Sequence, residues 1–190
     1  MNTTYSGPSL GNDLVDISPD FEPHGPSASV IQRIVTHAKT PEAITAFSRE
    51  CHKLSDYCYW FTLGTLWVDY TEWSDLQRWK WLFSSRRPNR QTSLMKPSEF
   101  RQFVALPDGP VHLFRAHRPG EDDWISYTLD LDVARRFAAW RSVAQVHVYK
   151  AFRRDMLCLF TRRLESEVLI LDRRTVTLEN VLPVEIGGGA

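Results

Sequence analysis

The sequence predicts an α+β protein, with helices in the first half of the chain and strands in the second. From Ser27 to Ser85 apolar residues recur every three or four positions behind helix-starting residues. From Val111 onward the apolar runs are short, several alternate with polar residues, and Pro, Gly and Asp bound them. With 190 residues, 43% of them hydrophobic, the chain can bury one good core, so one compact domain with an appended helical part is expected.

Residues 1–26 are rich in Ser, Gly, Pro, Asn and Asp without periodicity, which predicts a flexible N-terminal arm that is free to wrap a partner or cover a cleft. Residues 27–105 form the helical, Trp-rich part. Ser27 precedes Val30, Ile31 and Ile34 at helical spacing, Thr40-Pro41-Glu42 places an N-cap before a first-turn Pro, and Ser55-Asp56 and Ser74-Asp75 open two more helices. Five of the seven tryptophans lie here: Trp60, Trp67, Trp73, Trp79 and Trp81. Trp60 and Trp67 stand seven apart, so one helix face carries both, and packing against the sheet part is the expected use. An exposed aromatic surface that docks a partner or stacks bases is the alternative. Residues 84–96 are polar and basic and predict a surface loop, after which Lys96-Pro97-Ser98-Glu99 starts a short helix running to about Ala105.

Residues 106–190 form the sheet part. The turn Pro107-Asp108-Gly109-Pro110 leads into Val111–Arg118, where alternation puts Leu113, Arg115 and His117 on one face. Trp124 to Thr128 predicts a short strand ending in hydroxyls; Asp130 then N-caps a helix with Val133, Ala134, Phe137 and Ala138 at helical spacing. Ala144 to Lys150 alternates as a strand, and Val181 to Ile186 reads as the closing one. Near the end, Glu165-Ser166-Glu167 runs into Val168-Leu169-Ile170-Leu171. If both glutamates lie on that strand they share a face, and like charges so close need water, cations or a chemistry that uses a negative field.

The formal net charge is zero, which neither demands nor excludes a nucleic-acid partner, but 18 arginines stand against 5 lysines and many arginines are paired. Three cysteines, Cys51, Cys58 and Cys158, do not make a disulfide framework, and with no C-x-x-C or H-E-x-x-H no metal is expected. No G-x-G-x-x-G or Walker sequence occurs. The start is not a signal peptide, and the apolar stretch from Tyr57 to Val68 is too short for a bilayer, so no membrane partner and a cytoplasmic location are the default expectation.

Arg115, then Ser126-Tyr127-Thr128 with its following A-x-x-F-A helix, then Glu165-Ser166-Glu167, is an order that resembles the mono-ADP-ribosyltransferases of the bacterial-toxin type. The likeness covers roughly residues 110 to 186. It implies a split, mainly antiparallel ADP-ribosyltransferase sheet with the helical part packed on it, and NAD as substrate in the split-sheet cleft. The residues it implies for NAD binding are Arg115, Ala116, Ser126, Thr128 and Glu167, with Phe137, Tyr127 or Phe160 as candidates for the ring stacking on nicotinamide, although the helical spacing of Phe137 reads first as a core position. It implies Arg115, Ser126, Glu165 and Glu167 as the catalytic set, and Phe160, Thr161, Arg162 and Arg163 as candidates for contact with the acceptor. Family members often carry Gly directly after the arginine, where this chain has Ala116.

These residue types suit the chemistry on physical grounds. Cleaving the nicotinamide-ribose bond builds positive charge on the sugar, which a carboxylate such as Glu167 stabilises in the transition state. Ser126 would orient that carboxylate, Arg115 would grip the dinucleotide phosphates, and Glu165 would present the nucleophile. The plainer alternatives are that Arg115 pairs with a structural acid and that Ser126 and Thr128 serve as turn and cap residues.

The function expected is transfer of ADP-ribose to a macromolecular acceptor. The complete Glu-x-Glu favours protein arginine, while the paired arginines keep RNA or DNA open. By analogy with the family the setting is an intracellular toxin or phage-host conflict effector, restrained by an antitoxin or inhibitor protein. NAD hydrolysis without transfer, and a degenerate binding module, are the competing expectations.

Overall fold

In a computed structural model of the chain, residues 16–69 and 75–184 are described. Six helices come first: α1 (Gly25–Val35), α2 (Glu42–Glu50), α3 (Asp56–Asp69), α4 (Leu76–Phe83), α5 (Arg90–Leu94) and α6 (Pro97–Val104). Six strands and one helix follow: β1 (Pro110–Arg115), β2 (Ser126–Thr128), α7 (Leu131–Trp140), β3 (Gln145–Phe152), β4 (Cys158–Phe160), β5 (Glu167–Leu169) and β6 (Thr177–Pro183).

Local chemistry explains the helix starts. Ser55 and Asp75 accept hydrogen bonds from Cys58 N and Arg78 N, at 3.3 and 3.0 Å, and Glu99 folds back onto Lys96 N at 2.8 Å. Two starts differ from the sequence signal. α1 begins ahead of Ser27 because His24 caps it, its Nδ1 accepting from Ser27 N at 3.2 Å. Thr40 does not cap α2, since its hydroxyl donates to His37 O at 2.8 Å. The stretch expected as a loop contains α5.

Within the segment expected as a flexible arm, residues 16–24 make contacts with the helical part. Ser18 Oγ donates to Thr92 O at 2.8 Å, the Asp16 carboxylate accepts from Ser98 N and Oγ at 2.7 and 2.6 Å, and Phe21 sits edge-on to Tyr57. These contacts tie the segment to α3, α5 and α6. Residues 1–15, Trp73, Ser74 and the end of the expected 181–186 strand lie outside the described residues; β6 itself starts four residues earlier than that strand.

The strands form one antiparallel sheet in the order β4-β5-β2-β1-β3-β6. Its weak seam is between β1 and β2, whose pairing is confined to Phe114 and Thr128. Extending that register would set Ala116 opposite Ser126, but no ladder forms there, and the strands open into a cleft. A main core joins the helices to the sheet, with Trp60, Phe47, Phe83, Leu63, Leu113 and Ile170 among its most buried side chains. A smaller cluster of Ala116, Ala134, Ala138 and Val146 lets α7 lie close on β1 and β3. No helix among the described residues is long and apolar enough to cross a membrane.

Candidate active site

The opening between β1 and β2 is a cleft of about 500 Å³, within the usual range for small-molecule sites. Its walls come from both parts of the chain: Trp67, Leu76 and Trp79 from α3 and α4, Arg115 and Ser126 from the seam, Phe137 from α7 and Arg141 just after its end, Arg163 and Glu165 from the turn before β5, and Glu167 from the start of β5.

Antiparallel pairing assembles the floor. β2 pairs with β5 so that Thr128 faces Glu167, which leaves Ser126 diagonal to Glu167 on the same face. Ser126 Oγ donates to Glu167 Oε1 at 2.5 Å. The Trp67 indole N–H, which can only donate, lies near enough to the carboxylate to favour its charged form. Part of Glu167 is open to the cleft, but protein crowds it closely. That desolvation raises its carboxyl above the ordinary 4.5, with the Glu165 charge adding to the rise and Ser126, Trp67 and Arg115 opposing it.

Glu165 is not on the strand, contrary to the shared-face expectation. Leu164 and Ser166 on either side of it have φ of 56° and 44°, left-handed values that non-glycine residues rarely take, and the chain kinks twice before β5 begins at Glu167. Thr128 holds this kink: its Oγ1 donates to Glu165 O and accepts from Asp130 N, while Leu129 N bonds Ser166 O at 3.0 Å. Glu165 still reaches the cleft.

Arg115 is strongly engaged. Its Nε and Nη2 form a fork on Glu121 at 3.1 and 2.6 Å, and Nη1 donates to Ser126 O at 2.6 Å, so the side chain closes the seam that the backbone leaves open. Burial works against the Glu121 charge, but hydrogen bonds from His117 and Arg115 outweigh it and hold the carboxyl down at about 2. The structural-acid alternative for Arg115 is therefore realised, although two of its five N–H groups remain beyond these three bonds. Ala116 is buried in the small cluster beneath α7, and its carbonyl accepts from Arg141 Nη1.

Of the expected stacking rings, Phe137 is the partly exposed one at the cleft wall, with the Arg141 guanidinium 5.0 Å from its centroid. Tyr127 contributes to the wall, but its ring is buried edge-on to Tyr149, and burial pushes its hydroxyl up to about 12. Phe160 lies in the core. Among the acceptor-loop candidates, Arg162 is locked onto Glu99 and Leu94 O, and Thr161 N is tied to Glu99; only Arg163 lines the cleft.

Arg141 is the site residue that sequence reasoning missed. It is largely buried, its Nε has no hydrogen-bond partner among the described residues, and burial followed by the Arg115 and Arg118 charges pulls it down to about 10. A desolvated cation among other arginines calls for an anion. Its one sequence signal is the four-residue spacing from Phe137, which puts both on one helix face. The spacing of Trp67 from Trp60 signalled a packing or docking face and not a place beside Glu167, and Glu121 carried no signal, because their partners are distant in the chain or lie in an irregular loop.

No family model, curated protein or solved structure matches the chain.

Proposed function

We propose that the cleft binds NAD, breaks the bond between nicotinamide and ribose and transfers ADP-ribose to a macromolecular acceptor, with protein arginine the favoured acceptor. The observation that carries this is the Ser126–Glu167 hydrogen bond inside a cleft whose walls also hold Arg115, Arg141 and Glu165. Three short sequence elements, unremarkable one by one, meet at one place with a carboxylate oriented and partly desolvated there.

Glu167, aligned by Ser126 and Trp67, stabilises the positive charge that develops on the ribose as nicotinamide leaves. In a partly desolvated site a unit charge at ~4 Å is worth about 4 kcal/mol at an effective dielectric of about 20, enough to dominate the rate. Arg141 and the unused N–H groups of Arg115 supply the cationic wall for the pyrophosphate. Phe137 offers a flat apolar face beside that wall. Glu165, at the kink, accepts the proton of the incoming nucleophile. On this account the helical part completes the cleft through Trp67 and Trp79. A toxin or phage-host conflict role, with an antitoxin or inhibitor as partner, extends the proposal by analogy with the enzyme type.

The test is incubation of the purified protein and a cell extract with NAD labelled on the adenine, followed by protease or nuclease on separate samples. Label released by protease supports a protein acceptor, and label released by nuclease supports RNA or DNA. Free ADP-ribose alone means hydrolysis without transfer. No consumption of NAD contradicts the enzymatic proposal.

A further inference from the structure

The two left-handed residues that take Glu165 off the strand also fold Arg163 back over it. Arg163 Nε lies 3.6 Å from Glu165 Oε1, and its Nη1 donates to Val68 O at 2.8 Å. Its side chain is 39% exposed and lines the same cleft as Glu167. Its neighbour Arg162 is a built-in contrast: only 14% exposed, it is committed to the buried Glu99 and to Leu94 O. The chain thus carries one arginine bound into its framework and one resting on the carboxylate assigned to present a nucleophile.

We propose that Arg163 occupies the acceptor subsite in the resting protein and is itself ADP-ribosylated, within its own chain, when NAD is bound. This rests on the proposed NAD-cleaving function. An arginine acceptor is a cation that must sit against a carboxylate, within reach of the ribose, with a nitrogen free to attack. Arg163 meets the first requirement directly and shares the cleft with Glu167. Its Nη2 makes no hydrogen bond among the described residues, and a swing off Val68 O brings an Nη group onto Glu165. In the step, the bond between ribose C1′ and the nicotinamide nitrogen breaks and nicotinamide leaves with the electron pair. The Arg163 nitrogen forms a bond to C1′, and the proton it loses passes to Glu165 and on to water. The modified side chain then stands in the cleft mouth, so the reaction limits further turnover unless an outside acceptor displaces Arg163 first.

The experiment is incubation of the full chain with NAD and no other acceptor, with nicotinamide measured in solution and the label located by peptide mass spectrometry. The expected result is one ADP-ribose on Arg163, formed at a rate per molecule independent of protein concentration, and reduced at least tenfold in Arg163→Lys. Arg162→Lys serves as the neighbouring control and keeps the label on Arg163. Nicotinamide release without label on Arg163 overturns this inference and leaves the cleft assignment standing. So does label that persists at the wild-type level in Arg163→Lys, or a rate per molecule that rises in proportion to protein concentration. Absence of nicotinamide release from the wild type overturns the proposed function and this inference together.

Discussion

Glu167 has two neutral donors, Ser126 and Trp67, and each favours its charged form against the desolvation that raises its carboxyl. Trp67→Phe keeps a ring against Trp79 and Phe83 but deletes the N–H. Losing a hydrogen bond to a charged group costs about 1.5–3 kcal/mol, so kcat falls roughly tenfold to a hundredfold while KM for NAD changes far less. The sign of the pH effect follows: without the N–H the Glu167 carboxyl rises further, and the acid limb of the kcat profile moves to higher pH. An unmoved limb in a folded Trp67→Phe protein would remove Trp67 from the site. On the proposed function Glu165 has a different task, and Glu165→Gln is expected to lose transfer while keeping slow hydrolysis, because water can replace a nucleophile no longer held. Parallel assays of labelled acceptor and free ADP-ribose check this; equal loss of both contradicts the division of roles. At this scale the sequence carried Ser126 and Glu167 clearly, since short strands with alternating faces constrain where such residues point. It did not carry Trp67, Glu121 or Arg141, whose importance lies in contacts made only after distant segments meet.

Among the elements, α3 was legible from its cap and apolar spacing, and α7 from Asp130 and its alanines. β4 was not, because Cys158 to Phe160 is too short to show a period and is buried on both sides by packing rather than by pattern. Nor was α5 legible, since four polar and basic residues ahead of a single Leu94 resemble a loop until α3 packs on them. Those two helices come close together at Gly64, where an added Cβ would meet Leu94 Cδ1 at 2.9 Å and Leu94 O at 3.1 Å. Alanine gains about 1 kcal/mol of helix propensity over glycine, but overpacking against a backbone carbonyl costs about 1–3 kcal/mol. Gly64→Ala therefore lowers the melting temperature by a few degrees, and a thermal melt that rises instead would show that the α3–α5 contact yields freely.

At the scale of the whole molecule, the helical and sheet parts are fastened beside the cleft by Lys80 on Asp123, at 2.6 Å, and the β1–β2 seam is closed by Arg115 on Glu121. Because the Glu121 carboxyl is held at about 2 against an ordinary 4.5, its stabilisation is present above pH 4.5 and is lost as the pH falls through about 2. That contribution is on the order of 3 kcal/mol. Melting temperature measured across this window falls more steeply for the wild type than for Glu121→Gln, and parallel curves would contradict the assignment. Glu167 runs the other way: its raised carboxyl makes ionisation unfavourable in the fold, so Glu167→Gln melts at or above the wild-type temperature at neutral pH. The same substitution tests the central claim most directly, through nicotinamide release from NAD measured for both proteins at matched concentration. Release by the wild type and a loss of about a hundredfold or more in a fully folded Glu167→Gln are expected; wild-type-like release by that variant, or none by the wild type, would overturn NAD cleavage at Glu167.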